Sequence, residues 1–158
     1  MHENEIGALV VDCAVNLHQD LGPGLLETVY EVTLARALER RGLSVQRQIA
    51  VPIEYGGETF VEGFRADVIV EGKVLLELKS VERITPAHKK QLLTYLRLTG
   101  LKLGYLLNFG EALMRDGITR TINGTLDPIP LSRRDSVRGK DLREVFSQRH
   151  KGTEDLTL

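Results

Sequence analysis

The fold is decided by the stretch Arg65-Ala66-Asp67-Val68-Ile69-Val70-Glu71-Gly72-Lys73-Val74-Leu75-Leu76-Glu77-Leu78-Lys79. Two apolar arms flank the turn dipeptide Glu71-Gly72, which predicts a tight β-hairpin inside a sheet. Because side chains alternate along a strand, Glu77 and Lys79 lie on one side of it, and the hairpin places Asp67 beside them. Buried charges persist when they are paired or bind a metal. The hairpin therefore predicts a functional site, against the simpler interpretation of a solvated ion pair.

Two helices precede the hairpin. Apolar residues recur at helical spacing over residues 6–17 and again over residues 26–38, and Gly22-Pro23-Gly24 separates the two patterns. Gly42 follows the second pattern as a C-terminal cap. The pattern predicts a helical hairpin.

Strands and a third helix complete the pattern. Apolar alternation on both sides of residues 55–58 predicts a first strand pair, so three or four antiparallel strands follow the helices. Pro86 then begins a helix that ends at Gly100. Residues 104–108 form a buried strand and residues 118–122 an edge strand. The predicted order is ααβββαβ with one late strand.

Composition limits the class of protein. The 158 residues are 42% hydrophobic and suit one domain, and 21 Lys plus Arg against 22 Asp plus Glu exclude a uniformly basic surface. A single cysteine, Cys13, favours a reduced compartment, and no segment has the features of a signal peptide or a bilayer span. We expect a cytoplasmic protein without a membrane segment.

The chain divides at about residue 130. Residues 1–130 form the predicted domain, whereas residues 131–158 are a polar, Arg-rich tail without clear periodicity, apart from a short helical pattern over residues 141–148. We expect the tail to contribute electrostatic contact with a polyanion and no chemistry.

The carboxylates favour a hard cation. Mg²⁺ binds oxygen ligands, keeps several waters and commonly uses one or two protein carboxylates, so Asp67 and Glu77 suit Mg²⁺ or Mn²⁺. A bound cation would polarise a phosphoryl oxygen, and Lys79 would stabilise developing negative charge. This combination predicts metal-assisted phosphodiester hydrolysis.

Other polar residues lie on the helices. Gln91 and Tyr95 share one face of the third helix with His88, and Lys89, Lys90 and Arg97 add positive charge, although such charges are also typical of a solvated helix. Glu27 and Tyr30 lie in the first turns of the second helix, where a carboxylate also simply favours the helix dipole. His18, at the edge of the first helix, is by default a packing histidine.

These residues carry a family resemblance. Gly24-Leu25-Leu26-Glu27-Thr28-Val29-Tyr30 resembles the signature of the bacterial GxxExxY proteins, and the similarity covers residues 5–124 in ordered blocks. The blocks are His18, Arg65-Ala66-Asp67, Glu77-Leu78-Lys79, Gln91 to Leu96 and Asn108-Phe109-Gly110. That family is grouped with the PD-(D/E)XK nuclease superfamily, on the branch resembling RecB-type exonucleases, whose Gln-x-x-x-Tyr motif Gln91 and Tyr95 fit.

The resemblance implies a fold and a set of roles. It implies an α/β fold with a PD-(D/E)XK nuclease-like core, in which two N-terminal helices and a flanking helix surround a central mixed sheet with late strands. Asp67 and Glu77 would bind the metal with the Leu78 carbonyl, Lys79 would be catalytic and Glu27 would complete the site. Ala66 departs from the family's proline, which shapes backbone only. We further expect His18 as a metal ligand, and Gln91, Tyr95, Tyr30 and Lys90 as substrate-binding residues.

The resulting hypothesis is a Mg²⁺- or Mn²⁺-dependent nuclease that acts on DNA in preference to RNA. The alternative is a catalytically silent nucleic-acid-binding or regulatory module on the same fold. A third hypothesis, a structural protein in which the cluster is a buried salt bridge, predicts no metal binding. A homodimer is left open.

Overall fold

The computed structural model describes residues 1–128, and its elements follow the predicted order. Within these residues the structure contains three α-helices, five strands and a short 3-10 helix. The elements are α1 (Glu3–Leu21), α2 (Glu27–Arg40), β1 (Val45–Tyr55), β2 (Glu58–Val70), β3 (Val74–Lys79), α3 (Pro86–Thr99), β4 (Leu103–Asn108), the 3-10 helix (Met114–Gly117) and β5 (Ile118–Ile122). The predicted tail and its helix over residues 141–148 lie outside the described residues.

Local sequence signals fix the helix ends. The ring of His2 accepts a hydrogen bond from the Asn4 amide, and the Glu5 carboxylate accepts one from the His2 amide, so α1 begins with a capping box. Thr85 caps α3 in the same way ahead of Pro86. Gly100 ends α3 in the left-handed conformation that glycine adopts without steric cost.

The strands form one mixed sheet in the order β1-β2-β3-β4-β5. All neighbours are antiparallel except β3 and β4, which are parallel because α3 connects them. Strand β2 runs without interruption over residues that the sequence left open as one strand or two, so three strands precede α3. The predicted α/β fold with a central mixed sheet is confirmed, and β5 is the predicted edge strand.

The helices cover the two faces of the sheet and bury separate cores. Helices α1 and α2 pack on one face, where Tyr30, Leu34 and Val68 belong to the larger apolar cluster. Helix α3 packs on the other face, where Leu92 and Leu75 belong to the smaller cluster. Because β3 alternates between these clusters, Glu77 and Lys79 share the α3 face with Leu75.

None of the helices in residues 1–128 combines the length and the apolar character needed to cross a membrane.

Candidate active site

Asp67 and Glu77 lie beside each other where β2 separates from β3. The pairing of these strands ends at Val68 and Leu76, one residue before the two carboxylates. The Leu78 amide donates to Asp67 Oδ2 at 2.9 Å, and the Asp67 amide lies 3.4 Å from Glu77 Oε1. Each acidic residue therefore contacts the backbone of the other strand, and the hairpin brings the two carboxylates together as predicted from the alternation.

Glu77 is buried against a like charge. Its exposure is 5%, and burial, followed by repulsion from Asp67, raises the pKa of Glu77 to about 8. The hydrogen bond from the Asp67 backbone and the attraction of Lys79 oppose this rise. A buried carboxylate held against a second carboxylate is a strong indication of a functional site.

Lys79 ends β3 on the same face as Glu77. Its side chain is half-buried, and its charge opposes the rise in the pKa of Glu77. The Lys79 carbonyl accepts from the Phe109 amide at 2.8 Å, which joins the end of β3 to the end of β4. The backbone that carries Lys79 is thus fixed to the neighbouring strand.

Gln91 and Tyr95 lie on α3, which packs on the face of the sheet that carries Glu77. Gln91 Nε2 donates to the Tyr95 hydroxyl at 2.8 Å, and the Tyr95 ring stacks on Phe64 with centroids 3.9 Å apart and planes 6° apart. Burial and then the charge of Glu77 raise the pKa of Tyr95. Lys90, next to Gln91, is exposed to solvent.

Glu27 is the first residue of α2, and the loop before it reaches the end of β3. Ser80 Oγ donates to the Leu25 carbonyl at 2.6 Å, so the start of α2 is attached directly after Lys79. The Glu27 side chain is exposed. The structure therefore brings the start of this helix to the site, with the carboxylate turned to solvent.

The prediction that Tyr30 binds substrate is wrong in this structure. Its exposure is 0%, its ring stacks on Phe109 at 4.4 Å, and its hydroxyl donates to the Gly22 carbonyl while accepting from the Leu25 amide. A side chain with no surface and a fully used hydroxyl cannot contact a substrate. Tyr30 instead fixes the loop that precedes Glu27.

His18 is likewise turned into the core. Its exposure is 5%, and its Nε2 lies 2.8 Å from the Glu111 carbonyl, with which it shares a hydrogen bond. Across residues 1–128, moreover, no three His, Cys, Asp or Glu side chains come close enough together to hold a metal ion. The structure therefore joins neither His18 nor Glu27 to the Asp67–Glu77 pair, and the expectation of His18 as a ligand is corrected to a packing role.

Asn108 has a role that sequence reasoning missed. Its buried amide accepts from the Val81 and Gly110 amides at 3.0 and 3.1 Å and donates to the Val81 carbonyl at 2.9 Å. These three bonds fix the backbone that follows Lys79. The available signal was one polar residue that ends the apolar strand β4 (Leu103–Asn108), because a buried amide without partners would be unfavourable.

A comparison with protein families matches this arrangement. The model that describes the PD-(D/E)XK nuclease superfamily matches residues 4–121. The chain belongs to the PD-(D/E)XK nuclease superfamily. The matched range spans the elements from α1 to β5 except for the first residue of α1 and the last residue of β5, and it includes the acidic pair and Lys79. The narrower assignments, to the GxxExxY proteins and the RecB-type branch, stay predictions for this superfamily member.

Other comparisons add little for this PD-(D/E)XK protein. A solved structure, "Crystal structure of SSO0001", is similar to it at 23% identity over 77% of this chain and 67% of that chain, with a TM-score of 0.37. No curated protein matches the chain significantly.

Proposed function

We propose that the protein is a divalent-metal-dependent nuclease that hydrolyses phosphodiester bonds. The observation that carries the proposal is the contact of the buried Glu77 with the half-buried Asp67, with Lys79 two residues after Glu77 on the same strand. Superfamily membership supports a nuclease type of fold. Because a fold does not determine an activity, the chemistry is argued from these side chains.

The acidic pair suits a hard cation. The buried Glu77 carboxylate lies against the half-buried Asp67 carboxylate, and their repulsion contributes to the raised pKa of Glu77, so a cation between them would relieve an unfavourable contact. Mg²⁺ and Mn²⁺ accept such a pair with a backbone carbonyl and water completing the coordination. Asp67 and Glu77 would hold the ion, with the Leu78 carbonyl as a third ligand and Glu27 near the opening.

Each residue has a defined task in hydrolysis. The ion, when bound, would polarise the phosphoryl oxygen and lower the pKa of a bound water. Lys79 would stabilise the negative charge that develops on the phosphate during attack. Gln91 and the Tyr95 hydroxyl would position the substrate backbone over the carboxylates, and Asn108 would keep the end of β3 in place.

The surroundings of the site support nucleic acid as the substrate class. Exposed Lys90 lies next to Gln91 on α3, where it can contact a phosphate. We propose DNA in preference to RNA as the substrate. Because the formal charge is −1, the favourable electrostatic contact with nucleic acid would have to be local.

A nucleic-acid-binding module without turnover is the second candidate function. It is favoured by the finding that, in the part of the chain that the structure describes, no third acidic or histidine side chain completes a metal site. This candidate predicts that nucleic acid binds whether or not a divalent cation is present.

A cleavage assay with matched variants tests the proposal. The parent, Asp67→Asn and a control, Glu39→Gln, are incubated with labelled single- and double-stranded DNA and RNA in Mg²⁺, Mn²⁺ or chelator. Glu39 is an exposed α2 residue outside the site. We expect cleavage by the parent and the control with Mg²⁺ or Mn²⁺ only, and none by Asp67→Asn.

Calorimetry with Mn²⁺ separates the two candidates. The parent should bind Mn²⁺, and Asp67→Asn should bind it more weakly. Equal affinity in the two proteins would remove Asp67 from the site. DNA binding without cleavage under any metal condition would establish the silent module.

A further inference from the structure

A second buried glutamate lies on α2, away from the acidic pair. Glu31 has an exposure of 5%. Arg47 Nε donates to Glu31 Oε1 at 3.1 Å, and Gln48 Nε2 donates to Glu31 Oε2 at 2.9 Å. Consecutive residues of a strand normally point to opposite faces, so the convergence of Arg47 and Gln48 on one carboxylate requires an unusual backbone.

Gln48 supplies that backbone. Its φ is +50°, a left-handed conformation that is uncommon for a residue other than glycine. The β1–β2 pairing includes Arg47 with Val68 and Ile49 with Ala66, so Gln48 lies opposite Asp67. The one residue of β1 with a positive φ therefore lies opposite Asp67 in the strand register.

Both strands change faces at this position. In β1, Val45 packs in the α1–α2 core, whereas Ile49 and Val51 pack on the α3 side. These three residues are an even number of positions apart, so strict alternation would place them on one face. In β2, Val68 belongs to the α1–α2 core and Ala66 to the α3 side. Strict alternation would keep each set on one face, so the hairpin rotates at Gln48 and Asp67.

The rotation also separates β2 from β3. On the N-terminal side of Asp67 in β2, the hairpin turns toward α3, where the Phe64 ring stacks on the Tyr95 ring. Pairing with β3 has ended at Val68, and the Asp67 carboxylate occupies the opening and accepts from the Leu78 amide. Gln48 in β1 and Asp67 in β2 thus occupy matching positions at the point where the hairpin rotates.

We propose that Glu31 is a positioning residue for Asp67, acting through the left-handed Gln48 that it holds. The inference rests on the proposed function, because Asp67 is assigned there to the metal. Glu31 touches neither Asp67 nor the substrate. It keeps β1 in the conformation that presents the Asp67 carboxylate to Leu78 and to a cation.

Two substitutions of one residue test the conformation without changing Glu31. Gln48→Ala and Gln48→Gly both delete the side-chain amide, but only glycine adopts a positive φ without steric cost. We expect faster hydrogen exchange of the Leu78 amide in metal-free Gln48→Ala, by about 5- to 30-fold. This is the factor by which residues other than glycine disfavour the left-handed conformation. Gln48→Gly should match the parent within about twofold, since glycine has no such preference.

The amide of Leu106 in β4 is the internal reference for global unfolding. Exchange that accelerates equally at Leu78 and Leu106 reports lost stability and contradicts the proposal. Exchange that is the same in Gln48→Ala and Gln48→Gly overturns it as well.

Rescue provides the second test. Glu31→Ala should weaken Mn²⁺ binding by about 10- to 100-fold, the usual effect of removing a residue that orients a metal ligand. Adding Gln48→Gly should restore most of that affinity, because glycine adopts the positive φ without steric cost and so does not depend on Glu31 to hold it there. Glu39→Ala, which removes the same charge from the same helix, should leave affinity unchanged. Failure of Gln48→Gly to restore binding overturns the role of Glu31.

The two proposals fail separately. If the parent cleaves no nucleic acid, the nuclease proposal fails while the exchange of the Leu78 amide still tests the positioning role. If the parent cleaves and Gln48→Ala behaves as Gln48→Gly, the positioning role fails and the nuclease proposal stands.

Discussion

Two glutamates of this protein are equally buried and differ in every other respect. Glu31 and Glu77 each have an exposure of 5%. Glu31 receives hydrogen bonds from Arg47 and Gln48, so its charge is compensated. Glu77 faces Asp67, which repels it and contributes to the rise of its pKa to about 8.

The difference indicates what each position is for. A compensated buried carboxylate holds structure, because removal of either partner would leave the other unsatisfied. A buried carboxylate placed against its own kind destabilises the metal-free fold, and such positions persist at sites of chemistry. Burial alone would assign Glu31 and Glu77 the same role, whereas their partners show that the roles differ.

The largest expected effect is the loss of cleavage rate on substitution of Lys79, which follows Glu77 by two residues in β3. Lys79→Ala should lower the cleavage rate by about 100- to 1000-fold, because charge stabilisation that develops in the transition state is lost. Affinity for DNA should change little, because the interaction matters chiefly in the transition state. Single-turnover rates and binding isotherms measure the two quantities.

Lys79→Arg is the matched control for charge. The planar guanidinium keeps the positive charge but presents a different shape to the phosphate, so this variant should also be impaired. Parental rates in both variants would show that Lys79 is not catalytic.

The next effect compares the two glutamates directly by their free energies of unfolding in metal-free protein at pH 9. Glu77→Gln should raise stability by roughly 1–3 kcal/mol, since it removes a buried charge that faces another. Glu31→Gln should lower stability by roughly 1–2 kcal/mol, since it weakens charge-assisted hydrogen bonds. Urea unfolding gives both values, and changes of the same sign would break the distinction.

The pH dependence of the free energy of unfolding tests the same property of Glu77, with a smaller expected effect. Folding raises the pKa of Glu77 from 4.5 to about 8, so the folded protein retains a proton that the unfolded chain releases. The contribution of Glu77 to stability is therefore fully present below pH 4.5 and is lost as pH rises toward 8. The stability difference between Glu77→Gln and the parent should grow across this range and level off above it. A difference that does not vary with pH would contradict the burial of a carboxylate at this position.

The smallest expected effect concerns Tyr30, a third buried polar group. Tyr30→Phe should lower stability by about 0.5–1.5 kcal/mol, since the Gly22 carbonyl and the Leu25 amide lose their hydroxyl partner. Cleavage by this variant should be close to the parent value. A loss of activity larger than the loss of stability would return Tyr30 to a substrate-binding role.

The order of elements was predictable because each one has a local signal. Apolar spacing indicated α1, α2 and α3, and Gly72 and Pro86 marked a turn and a helix start. The neighbouring positions of Asp67 and Glu77 followed from the alternation of side chains around one tight hairpin. These features depend on short stretches of chain, which a single sequence displays.

Features that depend on distant contacts were not predictable. The sequence shows that Tyr30 and His18 are polar, but it does not show that Phe109 and the Glu111 carbonyl are their neighbours in the core. Glu31 is one charge on an otherwise ordinary helix, and Asn108 is a polar residue at a strand end. Their roles arise from partners that the fold supplies from elsewhere in the chain.

The parallel pairing of β3 with β4 also has a consequence for the time course of folding. The acidic pair is formed by residues ten apart in the chain, whereas the Asn108–Val81 contact joins residues 27 apart and requires α3 to be in place. Because short loops close sooner than long ones, we expect the carboxylates to meet first. The contact between Asp67 and Glu77 would then form first. The Asn108–Val81 hydrogen bonds, which fix the backbone after Lys79, would form last.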